Sequence, residues 1–282
     1  MHVGVVPVEV CSEAFCGVDM GFFKNAGLNV ELEFFTSPGA IATGVASGAI
    51  DVGLFDTPGL ITAHSHNVPV LLLAGGKQYV DRDPIFGAIV PADSPIRSAR
   101  DFAGTFAVAS VNSMAALGIM AWIDRNGGDS KRVKFVEMPF PTMIDAVQRG
   151  TVAGAVPVEP WLSDATHNGL RTIFPTNGIA RTFTASCWAT SRSWAEAHPA
   201  TAARFAKTIY EIARWANHNV NASIPIIAKY TKMPPDVIAK IHRGIFTETP
   251  DAVSLQPVID AAATYGLVAK AFPAAELTYH VS

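Results

Sequence analysis

Three carboxylates stand where short apolar runs end. Glu9 follows the run 3–8, Asp56 the run 50–54 and Glu159 the run 153–158. An ionised carboxylate only accepts hydrogen bonds, so such a trio suits a cation or a donor-rich heterocycle. Asp56 can instead cap the helix opened by Pro58, and Glu159, ahead of Pro160 and Trp161, can brace a hinge. Two serine-bearing stretches point to the opposite chemistry. Ser37-Pro38-Gly39-Ala40 and Ser110-Val111-Asn112-Ser113-Met114 each precede a helical pattern. A helix start offers free N–H groups and a positive dipole end to an anion. Ser37, and Asn112 or Ser110, can equally be plain N-caps, and the two roles are compatible. Trp188 can stack on a flat ligand or pack at a wall. Phe55, Phe140 and Trp161 read as apolar wall or core. Lys77 and Arg82 can neutralise an anion, but read first as surface cations.

Cys11 is the candidate nucleophile. A reactive thiolate needs a helix N-terminus or a basic neighbour. A helix over 12–25 supplies the first, Glu9 works against it, and no Cys-His pairing is legible. Cys11, Cys16 and Cys187 make an odd count with no C-x-x-C, which excludes a disulfide framework and a zinc site and leaves small buried thiols, or a Cys11–Cys16 pair. His64 and His66 lie two apart on a helix and share no face, so no metal is expected. No cofactor is expected either.

The elements that position these residues alternate. Strands are expected over 3–8, 29–35, 50–54 and 68–74, with helices over 12–25, 40–47 and 58–66 between them. A second set has strands over 85–90, 106–110, 133–138 and 153–158, with a short helical piece over 98–102 and helices over 112–126 and 142–149. One more strand is expected over 183–190. Repeated β-α-β units imply parallel sheets with helices on both faces. Helices over 199–219, 223–230, 235–243 and 255–265 form a tail packed on a finished lobe. In open parallel sheets ligands sit beyond the carboxyl ends of the strands, which is where the candidates fall.

The chain of 282 residues is long enough for two domains, and 49% apolar against 16% charged residues supports sizeable cores. The net charge of −3 is scattered, with no basic run longer than two residues, so nucleic acid is not an expected partner. No apolar stretch is long enough to span a bilayer. Met1-His2 runs straight into a core strand without a leader pattern, so either a leader has been removed or the protein is cytosolic.

Four stretches carry a family resemblance. They are Gly21-Phe22-Phe23-Lys24-Asn25-Ala26-Gly27-Leu28-Asn29-Val30-Glu31; Ala46-Ser47-Gly48-Ala49-Ile50-Asp51-Val52-Gly53 with Asp56-Thr57-Pro58; Asp93-Ser94-Pro95-Ile96 with Asp101-Phe102-Ala103-Gly104; and Ala146-Val147-Gln148-Arg149-Gly150-Thr151-Val152-Ala153-Gly154-Ala155, leading to Glu159-Pro160-Trp161. In this order the chain resembles the nitrate/sulfonate/taurine/thiamine-precursor family of ABC-transporter substrate-binding proteins. The resemblance implies an α/β periplasmic binding protein fold of type 2, with two lobes of mostly parallel sheets flanked by helices and a helical C-terminal tail. Lobe I would be 1–83 plus 190–282 and lobe II 84–189, joined by a hinge of two crossings near 84–90 and 183–190. It also implies a monomer, periplasmic or at the cell surface after leader removal. Such a protein captures a small polar organic ligand (a sulfonate, a pyrimidine thiamine precursor, or a carboxylated or aromatic compound) and passes it to an ABC permease. The expected ligand residues are Glu9, Cys11, Ser37, Gly39, Ala40, Asp56, Thr57, Ser110, Asn112, Ser113, Glu159 and Trp188. The alternative is an enzyme on the same fold. It would be cytoplasmic and resemble the aromatic sulfinate desulfinases, whose cysteine lies in the loop after the first strand, near Cys11. The cysteine-rich motif of yeast-type pyrimidine synthases is absent.

Overall fold

The computed structural model describes residues 1–278. The first sheet contains β1 (His2–Val5), β2 (Glu31–Phe34), β3 (Val52–Asp56), β4 (Val70–Gly75) and β12 (Ser186–Ser191), in the order β2-β1-β3-β12-β4. The second contains β6 (Ala88–Val90), β7 (Gly104–Val108), β8 (Val133–Glu137), β9 (Gly154–Ala155) and β10 (Arg171–Ile173), in the order β10-β6-β9-β7-β8. A small antiparallel sheet joins β5 (Lys77–Val80), β11 (Thr182–Thr184) and β13 (Ile245–Phe246).

The two large sheets share one plan. In each, the parallel set is completed by a single antiparallel strand, β12 in the first and β6 in the second. That inserted strand is the first one the chain forms on entering the sheet from the other lobe. The sheets are therefore mixed rather than parallel throughout. The chain crosses between them over 81–87 and 174–181, and β5 and β11 pair beside these crossings, Val80 opposite Thr182 and Tyr79 opposite Phe183. Tyr79 also stacks on Phe183 at 4.9 Å and on Phe86 at 5.8 Å, so the crossings carry an aromatic spine.

Several expected elements shift for local reasons. The strand expected over 183–190 divides at Ala185, whose N–H donates to the Lys77 carbonyl at 2.8 Å, so Thr182–Thr184 joins the crossing sheet and Ser186–Ser191 the first sheet. The helix expected over 12–25 is two helices, Ser12–Asp19 and Phe22–Asn25, separated at Gly21, whose φ of +76° glycine tolerates. The helix expected over 235–243 stops at Ile238.

Packing is tight where the helices meet the first sheet. A Cβ on Gly53 of β3 would sit 2.3 Å from Ile41 Cγ2, so helix Pro38–Ser47 lies as close as a glycine allows. The helix Pro199–His218 buries Phe205, Ile209 and Ile212 against the same lobe, with Phe205 stacked on Phe23 at 5.7 Å and edge-on to Trp188 at 5.9 Å. Losing one such fully buried side chain costs about 2–5 kcal/mol. No helix among the described residues is long and apolar enough to cross a membrane.

Candidate functional site

Both large sheets aim their parallel carboxyl ends at one cavity of about 90 Å³. Val6, Glu9, Cys11 and Asp56 reach it from the loops after β1 and β3. Ala109, Ser113, Met114 and Glu159 reach it from those after β7 and β9, and Ile85 and Phe86 from the first crossing. The wall is mostly apolar, with Val8, Leu54, Phe140 and Val158 among the side chains that fill it.

The polar groups are few and mostly engaged. Glu9 is 3% exposed, and its Oε1 accepts from Lys77 Nζ at 2.9 Å and Arg243 Nε at 3.1 Å. Lys77 is 1% exposed, donates also to the Arg243 carbonyl at 2.6 Å and lies 3.4 Å from the centre of the Phe246 ring. Lys77 is thus not the surface cation expected from its place after the fourth strand. Burial lowers its pKa, and Glu9 opposes that shift. Glu9 Oε2 forms no hydrogen bond among the described residues.

Asp56 bridges the lobes. Its Oδ1 accepts from Gly59 N at 3.1 Å, capping helix Thr57–Ser65, and its Oδ2 accepts from Met114 N at 3.0 Å, on the first turn of helix Met114–Arg125. Burial pushes its carboxyl up to about 6, against the pull of those two bonds. Ser113, not Asn112 or Ser110, caps the second helix, accepting from Ala116 N at 3.3 Å. Both oxygens of Glu159 are engaged. Its Oε2 accepts from Ser163 N at 3.0 Å, and its Oε1 from Ser163 Oγ at 2.8 Å and His242 N at 3.1 Å. Its carbonyl accepts from Glu9 N at 3.0 Å. Burial raises its pKa.

Cys11 lies on the wall with its Sγ accepting from Val6 N at 3.4 Å. Burial pushes its thiol up to about 12, and Glu9 and Glu13 add to this, so it is held as a neutral thiol at neutral pH. Behind it Glu13 is fully buried; its Oε2 accepts from Trp188 Nε1 at 2.8 Å, while its Oε1 has no hydrogen-bond partner among the described residues. Burial lifts that carboxyl to about 8.

Five of the residues expected from the sequence meet at the cavity: Glu9, Cys11, Asp56, Ser113 and Glu159. Trp188, expected on the cleft wall, lies wholly within the core, because β12 is a central strand and its indole is spent on Glu13 and Phe205. Ser37 caps its helix by accepting from Ala40 N at 3.4 Å, and Pro38 rather than Ser37, Gly39 or Ala40 reaches the wall. Thr57 is buried and donates to the Thr184 carbonyl at 2.6 Å. Ser110 and Asn112 stand outside the cavity on the approach to the helix. Arg82 is exposed. Sequence reasoning missed Arg243 and His242, whose partners lie up to 234 residues away. Met114 belonged to the expected helix start 110–114, and its main-chain N–H is taken by Asp56 rather than left free for an anion. Among the described residues no three His, Cys, Asp or Glu are grouped to hold a metal.

Known proteins share this frame. A formylaminopyrimidine-binding protein of Halalkalibacterium halodurans is 27% identical over 135 residues, 48% of this chain and 39% of that protein. The taurine-binding periplasmic protein of Escherichia coli is 24% identical over 191 residues, 67% of this chain and 58% of that one. The chain thus spans about half the length of these relatives. Among solved structures, the alkanesulfonate-binding protein SsuA from Xanthomonas axonopodis pv. citri bound to MOPS superposes with a TM-score of 0.84 at 17% identity, covering 100% of this chain and 98% of that one. The nitrate-binding protein NrtA from Synechocystis PCC 6803 gives 0.73 at 16% identity, covering 97% and 82%. These two establish a shared fold, that of periplasmic binding proteins. Residues 12–219 match the family described as NMT1/THI5 like, and the chain belongs to that family.

Proposed function

We propose that the chain is a solute-binding protein that closes two lobes around a small organic ligand and presents it to an ABC permease outside the cytoplasm, as a monomer. The observation that carries this reading is the enclosed, mostly apolar cavity at the facing carboxyl ends of two sheets, with two chain crossings behind it. Such a site binds by excluding water and matching a few polar groups. Strands β6–β10 support 88–173 as the body of one lobe, and the pairing of Ser186–Ser191 in the first sheet supports a return boundary ahead of Ser186 rather than at 189.

The polar groups select among ligand classes. Three carboxylates line the cavity, and its wall cation, Lys77, is already engaged by Glu9 and Arg243. Glu9 Oε2 is the wall carboxylate oxygen left to accept. A compact molecule with an apolar or aromatic body and an N–H donor fits this set; a sulfonate or nitrate would bring negative charge against it. The relative named for binding formylaminopyrimidine agrees with the first class. Cys11 as a nucleophile has no support, since its surroundings favour the thiol over the thiolate.

Native mass spectrometry of the purified protein, followed by a thermal-shift panel of formylaminopyrimidine, taurine, an alkanesulfonate and nitrate, tests the reading. We expect a co-purifying small molecule with an N–H group, or a raised melting temperature with formylaminopyrimidine alone. A shift with only the alkanesulfonate or nitrate overturns the ligand class; no bound mass and no shift overturns the binding reading.

A further inference from the structure

Residues 242–244 lie between helix Pro235–Ile238 and β13, and three consecutive residues there do three different things. His242 holds the second lobe and the start of the return crossing: its N–H donates to Glu159 Oε1 at 3.1 Å, and its ring stacks on Phe174, the first residue of that crossing, at 4.4 Å. Arg243 holds the first lobe. Its Nε donates to Glu9 Oε1 at 3.1 Å, its Nη2 to Ser223 Oγ at 2.8 Å, and its carbonyl accepts from Lys77 Nζ at 2.6 Å. Gly244, at φ +55°, lies against the first crossing, where an added Cβ would stand 2.4 Å from Ile85 Cγ2. His242 itself forms part of the cavity wall.

We propose that His242-Arg243-Gly244 is a strap that ties the two lobes together on the side of the crossings, and that His242 and Arg243 are positioning residues for the ligand. Arg243 acts through Glu9, fixing which carboxylate oxygen faces the cavity. His242 acts through Glu159 and Phe174, holding the second lobe shut. The strap explains why a helical tail appended to the first lobe reaches the second at all. It also ties closure to the ion cluster: a ligand donor taken up by Glu9 pulls on the residue next to the one that grips the opposite lobe. Broken at His242, the cleft opens more often, and a bound ligand leaves faster.

This inference rests on the proposal that the cleft opens and closes, and its test needs no ligand. Cys11 is on the cavity wall, whereas Cys16 and Cys187 are buried in the core away from it. Iodoacetamide labelling of the free, full chain at mildly alkaline pH, mapped by mass spectrometry, therefore separates opening from unfolding. Phe174→Ala and His242→Ala should each raise labelling of Cys11 about three- to tenfold, as expected for loss of one aromatic pair. Cys16 and Cys187 should stay as slow as in the wild type. The double variant should label no faster than either single one, since both remove the same stack. Unchanged Cys11 labelling in both variants overturns the strap. So does an equal rise at all three cysteines, which would mean that the contact supports the whole fold rather than the cleft. Either result leaves the ligand reading to be decided by the thermal-shift panel.

Discussion

Replacing Glu13 by Gln should remove a pH-dependent loss of stability. Glu13 is fully buried beside the site, and burial lifts its carboxyl from an ordinary 4.5 to about 8. In the unfolded chain it ionises near its ordinary value, so between pH 4.5 and about 8 the folded state holds a proton that the unfolded state has released. Stability therefore falls as pH rises through that window and is highest below it. At about 1.36 kcal/mol per pH unit the whole loss is at most about 5 kcal/mol. Gln carries no charge at any pH and keeps an acceptor for Trp188 Nε1–H. Its amide must find room where Oε1 had no partner, but that cost is the same at every pH and drops out of the comparison. Urea unfolding of wild type and Glu13→Gln at pH 5 and pH 9 reads the difference directly. From pH 5 to pH 9 the stability of the variant relative to wild type should rise by several kcal/mol. Parallel pH profiles for the two proteins would refute the reasoning, because they would show that the carboxyl is not held protonated.

Other substitutions probe the frame and the site. Lys77→Met should cost about 3–5 kcal/mol by chemical denaturation, because it leaves the buried Glu9 carboxylate short of a partner, and adding Glu9→Gln should recover part of the loss. A double variant no more stable than Lys77→Met would deny that Glu9 is charged there. Gly53→Ala should lower stability by about 1–3 kcal/mol, since its methyl overlaps Ile41; an unchanged urea midpoint would show that helix Pro38–Ser47 shifts freely. Ser113→Ala should cost about 1 kcal/mol through loss of the cap on Met114–Arg125, measured in the same assay.

What the sequence disclosed and what it hid follow from the range of the interactions. The lobes and the carboxyl-end loops were legible because helix–Gly–strand units such as Gly48 before Val52 repeat within a few residues. Glu9, Asp56 and Glu159 were legible for the same reason, as polar groups at the ends of apolar runs. The short strands Lys77–Val80 and Arg171–Ile173 were not, since three or four residues show no period of their own and exist only through their partners. Lys77 illustrates the limit. Its burial depends on Glu9 and on Arg243 and Phe246, which come from opposite ends of the chain. Trp188 was misplaced because a boundary drawn across β12 put a central strand at the cleft. Nothing local to residues 235–243 announced that the helix would stop early and free its last residues to cross to the second lobe.

The inserted strand β12 sets the order in which the molecule can be completed during synthesis. β3 and β4 do not pair with each other; β3 lies between β1 and β12, β4 is joined to the sheet through β12, and β12 is made after every strand of the second sheet. A nascent chain exposed as far as about residue 180 therefore holds all of β6–β10 but only four strands of the first sheet, with β4 stranded from the rest. The lobe whose strands are made first is the lobe that finishes folding last, because its contacts have the longer sequence separation. Limited proteolysis of ribosome-arrested chains at that length should cut within β1–β4 and spare β6–β10. The reverse pattern would show that the first three strands stand without their late partner.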